Sequence, residues 1–414
     1  MQLVEKHIVN NGNKNYKELD NLCFLSKNLY NATLYAVRQY YFNNKEYLNY
    51  NAINKQFTHE KQVDYCALPR KVSKMTQQLV DENFKSFFSL LKKKQKGEYD
   101  KPIKIPKYLH KQKGRQVVMY PEQALSFRKK GFVKLSQTNI YIKTNKEHIN
   151  FVRVVPKNGY IVLEVGYKVS DSAPQENTNN YASIDLGINN LATITSNVTK
   201  PIIINGKPVK SINQFYNKKV AELKSDLDKR NSKSTTSKHI KALGRIRDNK
   251  INDYFHKSTH YIVNHLVSNN INTLIIGYNK EWKQDTNIGK VNNQKFVEIP
   301  FLKFVQILDY KCKLQGITVV LQEESYTSKC SFVNQDFIPT FGKDDNLYNP
   351  SGKRIRRGLY ANSNVPIPNL SQINADVNGS YNILRKFLTK KEVWNENIFS
   401  DCIEVCSTPV IKSF

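Results

Sequence analysis

The chain is organised around the stretch Tyr181-Ala182-Ser183-Ile184-Asp185-Leu186-Gly187-Ile188-Asn189-Asn190-Leu191-Ala192-Thr193-Ile194-Thr195. An apolar run, a turn rich in Gly and Asn, and a second apolar run predict a strand, a tight turn and a paired strand. Asp185 lies inside the first strand, where a buried carboxylate must be paired or bound to metal. Two ordinary roles stay open: Asp185 could cap the turn, or it could pair with a buried Lys or Arg.

Composition limits the class of protein. The 414 residues carry a formal net charge of +29, which favours a polyanionic partner, either nucleic acid or an anionic membrane surface. The length allows two to three domains. Nothing approaches 18 apolar residues in a row, and the N-terminus Met1–His7 lacks a signal-peptide pattern. We therefore expect a cytosolic nucleic-acid-binding protein.

The six cysteines are scattered and form no C-x-x-C pair. A zinc ribbon needs two close pairs, so we expect no structural zinc. Reduced, buried or inert thiols are the more ordinary state of such residues. The positions are Cys23, Cys66, Cys312, Cys330, Cys402 and Cys406.

The N-terminal half combines helices, short strands and a strong positive charge. Periodicity predicts helices over 16–45 and 70–94. The segment from Lys85 to Lys134 contains fifteen Lys/Arg residues and three acids. That imbalance favours a phosphate-binding surface over an ordinary solvated face. The candidate nucleic-acid-binding residues here are Lys92, Lys93, Lys94, Lys104, Lys107, Tyr108 and Arg115; the predicted strands cover 1–9, 115–120, 132–135, 140–142 and 160–165, the spacing of a small barrel or sandwich.

After a polar, Pro-containing linker, strands alternate with helices, which predicts an α/β sheet. Residues 201–209 contain an Asn205-Gly206 pair between apolar residues, which predicts a hairpin. The remaining predicted elements are helices over 211–230, 237–269 and about 301–315, and strands over 271–276 and 317–321.

Two places supply acids that could join Asp185. Glu323 and Glu324 follow the strand 317–321, where α/β sheets place their sites, and Asp376 lies near a predicted helix start. Each has an ordinary alternative, since Asp is a common N-cap and a glutamate at a strand end is commonly solvated. Three carboxylates converging from distant segments could hold two divalent cations, and oxygen ligands suit Mg²⁺ or Mn²⁺.

Three segments together resemble the RuvC-type nuclease of the TnpB (OrfB) proteins of insertion sequences, which are miniature RNA-guided endonucleases related to type V CRISPR effectors. The segments are Ser183–Ala192, Tyr326–Lys329 and Asn374–Leu384, and Phe84–Tyr108 is similar as well. The resemblance extends over nearly the whole chain. It implies that Asp185 is the first catalytic acid and Asp376 the third.

The second acid departs from the usual pattern. Most family members place it at the end of the strand that here reads Leu274–Tyr278, where this chain has Gly277. A branch of the family carries a glutamate before the Tyr-Thr-Ser motif instead, and Glu324 matches it. Glu323 is the second choice and Glu281 a weaker third.

The segment between the second and third acids also departs. Relatives often carry two C-x-x-C pairs there, whereas this chain keeps Cys330 and has the basic stretch Ser351–Tyr360. We expect a metal-free basic insert that guides DNA, with a solvated loop as the alternative. Its candidate nucleic-acid-binding residues are Arg354, Arg356 and Arg357.

The resemblance implies an α+β multidomain fold and a function. The expected parts are a β-barrel (wedge-like) domain over 1–15 and 96–170, a helical recognition domain over 16–95, a linker over 171–180, an RNase H-like (RuvC) domain over 181–328 and 368–395, the insert over 329–367, and a tail over 396–414. The implied partners are a guide RNA made from the element's end and double-stranded target DNA, with no membrane partner, and the implied location is the prokaryotic cytosol or nucleoid. The implied activity is cleavage next to a short motif by an enzyme holding two Mg²⁺ or Mn²⁺ ions, leaving 5′-phosphate ends. The alternative is a nuclease-inactive, RNA-guided DNA-binding repressor.

Overall fold

The computed structural model describes residues 1–157, 159–170, 172–173, 178–230, 234–279, 297–356, 358–363, 365, 370–394 and 406–414. The chain divides into two compact units, Met1–Ser170 and Asp171–Phe414. Both mix helices with sheets, so the expected α+β multidomain class is confirmed at that level.

The first unit begins with a strand and a set of helices: β1 (Gln2–Asn10), α1 (Tyr16–Asn44), α2 (Tyr50–His59), α3 (Val63–Cys66) and α4 (Arg70–Gln95). The long helices α1 and α4 agree with their predictions because each carries several turns of apolar residues on one face. Helix α2 was missed. It buries two side chains, Ile53 and Phe57, which is too short a stripe to identify a helix.

The remaining strands of this unit form two antiparallel sheets around a shared core. They are β2 (Val118–Pro121), β3 (Leu125–Ser126), β4 (Phe132–Leu135), β5 (Tyr141–Lys143), β6 (Ile149–Lys157) and β7 (Tyr160–Lys168). The sheet orders are β1-β7-β6-β2 and β3-β4-β5. Strand β6 was not predicted, although it pairs along its length with β7. Closure of these strands into a barrel stays a prediction.

The second unit is built on a six-stranded sheet of order β12-β11-β8-β9-β10-β16. Its strands are β8 (Tyr181–Leu186), β9 (Asn190–Ser196), β10 (Ile202–Asn205), β11 (Thr273–Gly277), β12 (Thr318–Gln322) and β16 (Val410–Lys412). The opening stretch forms the predicted antiparallel pair β8–β9. Strands β11 and β12 run parallel to β8, so the carboxyl ends of all three meet at one edge.

Helices cover both faces of this sheet. They are α5 (Lys207–Lys229), α6 (Lys238–Ser268), α7 (Phe301–Lys313) and α8 (Ala375–Lys390). Alternate residues of β8 face opposite layers: Ala182 and Ile184 join the core with α6 and α7, and Tyr181 joins the core with α8. Because side chains alternate along a strand, Asp185 lies on the α8 side.

The predicted hairpin over 201–209 is wrong. Strand β10 ends at Asn205 and α5 begins at Lys207, with Pro208 in its first turn, where proline is favoured. Gly206 packs so closely on the preceding turn that an added Cβ would lie 2.4 Å from the carbonyl oxygen of Ile188. The Asn-Gly pair therefore marks a strand-to-helix junction.

Two further segments differ from expectation. Part of the region expected as a tail forms the edge strand β16, which pairs in parallel with β10. In the insert, β13 (Lys353–Arg356) and β14 (Leu359–Ala361) pair with β15 (Gln372–Asn374) in a small antiparallel sheet. This sheet leads directly into α8.

No helix in the described part of the chain is long and apolar enough to cross a membrane.

Candidate active site

The topology brings three acids to one edge of the second unit's sheet. Asp185 is the penultimate residue of β8, Glu324 follows β12 by two residues, and Asp376 lies in the first turn of α8. Hydrogen bonds anchor α8 beneath this edge: the Ser183 hydroxyl donates to the Ser380 carbonyl at 2.7 Å, and the Ser380 hydroxyl donates to the Thr193 carbonyl at 3.0 Å. The helix that carries Asp376 is thus fixed against the strand that carries Asp185.

Asp185 is half-buried and lies near two other carboxylates. Burial raises its pKa well above the ordinary value, and the nearby carboxylates of Glu324 and Asp376 raise it further, while Arg354 and a backbone hydrogen bond from Leu186 oppose the shift. Among the described residues no Lys or Arg forms an ion pair with Asp185. The ordinary role of pairing with a buried cation is therefore not what the structure shows.

A glycine on α8 makes this arrangement possible. A Cβ added at Gly379 would lie 2.8 Å from Asp185 Oδ2, so the helix backbone contacts the carboxylate directly. Asp376, Gly379, Ser380 and Ile383 recur at helical spacing and turn one face of α8 towards the sheet.

Glu324 occupies a similar environment. Burial, and to a smaller extent the neighbouring Glu323 carboxylate, raise its pKa to about 7, while Lys386 opposes this shift. Its backbone N–H donates to Asn279 Oδ1 at 3.3 Å, and Asn279 Nδ2 lies 3.5 Å from Glu324 Oε1. Asn279 thus connects the segment that follows β11 to the segment that follows β12.

Asp376 is not the helix cap. Asn374 is the N-cap of α8, and its Oδ1 accepts from the backbone N–H groups of Asp376 at 2.9 Å and Val377 at 3.2 Å. The Asp376 carboxylate instead accepts from Asn190 Nδ2 at 2.7 Å and from Arg354 Nη2 at 3.3 Å. The capping alternative for Asp376 is therefore wrong, and its side chain belongs to the site.

Glu323, the second choice for the second acid, is bound elsewhere. Lys386 Nζ lies 2.6 Å from Glu323 Oε2, and the Ser325 N–H donates to Oε1 at 2.6 Å. Burial alone would raise the pKa of Glu323, but the hydrogen bonds from Lys386 and Ser325 lead to a lowered pKa. Glu281, the third choice, lies outside the described residues.

Of the candidate nucleic-acid-binding residues that the structure describes, all but Arg115 are exposed. Arg115 forms a bidentate pair with Asp20, with nitrogen–oxygen distances of 2.8 and 2.7 Å, so it links α1 to the loop before β2. Tyr108 is exposed and stacks near the Arg38 guanidinium, 4.9 Å from its ring centroid. Arg357 lies outside the described residues. The exposed remainder are Lys92, Lys93, Lys94, Lys104, Lys107, Arg354 and Arg356.

The donor chemistry of the site fits a divalent cation. Within the described part of the chain, no three His, Cys, Asp or Glu residues are grouped closely enough to hold an ion in their present positions. The three carboxylates nevertheless lie near enough to raise the pKa of Asp185 by mutual repulsion. Hard oxygen donors that repel one another without a cation suit Mg²⁺ or Mn²⁺.

Sequence reasoning missed Asn190, Asn279 and Gly379. Asn190 begins β9 and Asn279 follows Gly277 by two residues, so each lies beside a predicted site residue. That proximity was the signal available in the sequence. It did not identify the two residues, because Asn at a strand end more often belongs to a turn.

Two family models match two separate parts of the chain. Residues 164–283, which include Asp185, match the family model OrfB_IS605, described as a probable transposase. This segment is similar to the OrfB family model over its 120 residues. Residues 301–383, which include Glu324 and Asp376, match the Cas12f1-like TNB domain. The resemblance of the chain to OrfB (TnpB) proteins is confirmed.

Solved structures give weaker likenesses. A Cas12f1–sgRNA–target DNA complex is 14% identical with a TM-score of 0.34, covering 92% of this chain and 98% of that one. A CRISPR–Cas12f ternary complex is 14% identical with a TM-score of 0.34, covering 89% and 80%. C2c1 of Alicyclobacillus acidoterrestris with single-guide RNA is 8% identical with a TM-score of 0.38, covering 90% and 70%. TM-scores below 0.5 are too low to support an argument about function. A comparison with curated proteins found no match.

Proposed function

We propose that this OrfB-family protein is an RNA-guided DNA endonuclease of a transposable element that depends on divalent metal ions. It hydrolyses phosphodiester bonds in target DNA next to a short recognition motif. The observation that carries the proposal is the meeting of Asp185, Glu324 and Asp376 at one sheet edge from positions far apart in the chain. Buried like charges are costly to keep unless a ligand compensates them.

The three carboxylates would hold the ions. When bound, two divalent cations supply an activated water and stabilise the charge on the attacking and leaving oxygens of the phosphodiester. Asp185 and Glu324 release their protons more readily beside a cation, since a nearby positive charge favours the carboxylate form. Asn190 and Arg354 orient the Asp376 carboxylate through its two oxygens.

The nucleic-acid partners follow from family and charge. The OrfB match and the net charge of +29 support a guide RNA made from the element's end and a double-stranded DNA target. The exposed lysines of the first unit would contact phosphates, which carry no sequence information. Base pairing with the guide would then select the target.

Cleavage by the purified complex tests the proposal. The protein is co-expressed with RNA from its element, purified, and mixed with Mg²⁺ and a target flanked by randomised sequence. We expect cuts that require the guide and Mg²⁺ and that disappear in Asp185→Ala, while guide-dependent DNA binding persists. Guided binding without any cutting by the unmutated protein would favour the repressor. Cutting without a guide would contradict both.

A further inference from the structure

Gly277 lies beside the candidate acids on a neighbouring strand. The parallel register pairs Ile275 with Ser183 and Ile276 with Ile184, so the next position, Gly277, continues alongside Asp185. On its other side Gly277 pairs with Gln322, and the Tyr278 N–H donates to the Gln322 carbonyl at 2.9 Å. Position 277 is therefore between the strand of Asp185 and the strand that leads to Glu324.

The space above Gly277 is occupied by the carboxylate of Glu324. A Cβ added at position 277 would lie 2.4 Å from Glu324 Oε2 and 2.5 Å from Ile383 Cδ1. Real Cβ atoms essentially never approach other heavy atoms so closely. Any side chain at 277 must therefore displace Glu324, Ile383 or both.

We infer that Gly277 is a positioning residue: its missing side chain creates the space from which the Glu324 carboxylate reaches the site of Asp185. A carboxylate can enter this space from position 277 or from position 324, but not from both. The inference rests on the proposed metal-dependent function and names the residue that makes Glu324 competent for it.

Packing decides which group would move. Ile383 is fully buried in the core between α8 and the sheet, and close-packed interiors resist displacement. Glu324 is partly exposed, and its side chain contacts Asn279 at the long distance of 3.5 Å. The backbone at Gly277 is not in the left-handed region, so alanine adopts it without strain. Gly277→Ala should therefore leave the fold intact and displace the Glu324 carboxylate.

The chain offers a matched control. Gly244 lies in α6, and a Cβ there meets its nearest neighbour, Tyr216 Oη, at 3.8 Å. That distance is ordinary contact, so Gly244→Ala adds the same methyl group in the same unit without a clash. Any effect of Gly277→Ala beyond that of Gly244→Ala comes from the crowding of Glu324 and Ile383, and thermal unfolding separates a loss of folding from a displaced Glu324.

The test measures metal binding and folding separately. Mn²⁺ binding to the guide-RNA complex is followed by electron paramagnetic resonance, and thermal unfolding confirms folding. Losing a group that orients a metal ligand typically costs about 10–100-fold in affinity, and we expect a loss of that size for Gly277→Ala. Mn²⁺ binding by Gly277→Ala equal to that of Gly244→Ala would overturn the inference.

A second experiment moves the carboxylate from position 324 to position 277. In an Ile383→Val background, which removes Cδ1 from the contact, Glu324→Ala is compared with Gly277→Asp/Glu324→Ala. Returning a carboxylate through position 277 should restore Mn²⁺ binding at least about tenfold relative to Glu324→Ala. A folded double variant that binds no better would contradict the shared space. If the unmutated complex binds Mn²⁺ but never cuts, the proposed function fails while this inference is still decided by binding.

Discussion

Glu323 and Glu324 are neighbours in the chain, yet their surroundings shift the pKa values of the two carboxylates in opposite directions. On one side, Lys386 forms an ion pair with Glu323 and the Ser325 N–H donates a hydrogen bond to it, and both contacts lower its pKa. On the other, burial and repulsion raise the pKa of Glu324 to about 7. Lys386 is paired with Glu323 and Arg354 with Asp376, which leaves Glu324 and Asp185 without an ion pair among the residues that the structure describes. The difference supports the proposal that Glu323 stabilises the fold and that Glu324 binds a metal ion.

The largest expected difference between these two acids is in cleavage. Glu324→Gln removes a charged metal ligand with almost no change of shape, so we expect single-turnover cleavage to fall by more than about 100-fold, beyond the loss typical of ligand-orienting groups. Glu323→Gln serves as the matched control and should stay within about threefold, since its carboxylate is bound by Lys386. The measurement is the cleavage rate of guide-loaded protein at saturating target. A larger loss for Glu323→Gln would reverse the assignment.

A smaller difference is expected in stability without metal. A carboxyl whose pKa is higher in the folded state binds more protons there, so folding is favoured at low pH and loses stability as pH rises from about 4.5 to about 7. Glu324→Gln should therefore raise the free energy of unfolding at pH 8 in EDTA by about 1–2 kcal/mol, after allowance for partial exposure. Thermal unfolding from pH 5 to pH 8 measures this.

Glu323→Gln and Mg²⁺ provide the controls for that stability measurement. The pKa of Glu323 is lowered, so its contribution to stability is present above the unfolded pKa and is lost as the pH falls. Its replacement should give no gain at pH 8. Added Mg²⁺ should stabilise the unmutated protein more than Glu324→Gln, because an ion that binds the folded state raises its stability. Equal stabilisation of both proteins would show that Glu324 is not a ligand.

The sequence predicted more of the site than of its supporting structure. Asp185 and Glu324 could be named because each lies at or just beyond the end of an apolar strand, and Asp376 because it lies at a helix start; the resemblance to TnpB proteins then grouped the three acids. The close approach of Gly277 to Glu324 could not, because it depends on the register of two strands separated by α7 in the chain. The same applies to Asn190 and Asp376, which meet only after α8 packs on the sheet.

Local signals also misled where tertiary packing decided the outcome. Asn205-Gly206 has the composition of a hairpin turn, but β9 and β16 flank β10 on both sides, and the chain continues into α5. Asp376 has the residue type of an N-cap, but Asn374 is placed two residues earlier and takes that role. In both cases two short-range patterns compete, and contacts from distant residues select between them.

The smallest expected effect is the loss of stability when Arg354 is replaced, and Lys386, the other cation on the α8 side of the sheet, provides the comparison. Lys386 is 9% exposed and also donates to the Pro339 carbonyl at 2.9 Å, whereas Arg354 is 43% exposed and pairs with Asp376 at 3.3 Å. Exposed ion pairs contribute about 0–1 kcal/mol, so Arg354→Gln should change the free energy of unfolding by less than about 1 kcal/mol. Lys386→Met, the comparison variant, leaves the carbonyl of the buried residue Pro339 without this donor and should cost about 1–3 kcal/mol. If Arg354 contacts a DNA phosphate, its replacement should also lower the slope of log affinity against log salt by about 0.7–0.9. An unchanged slope with unchanged stability would restrict Arg354 to orienting Asp376.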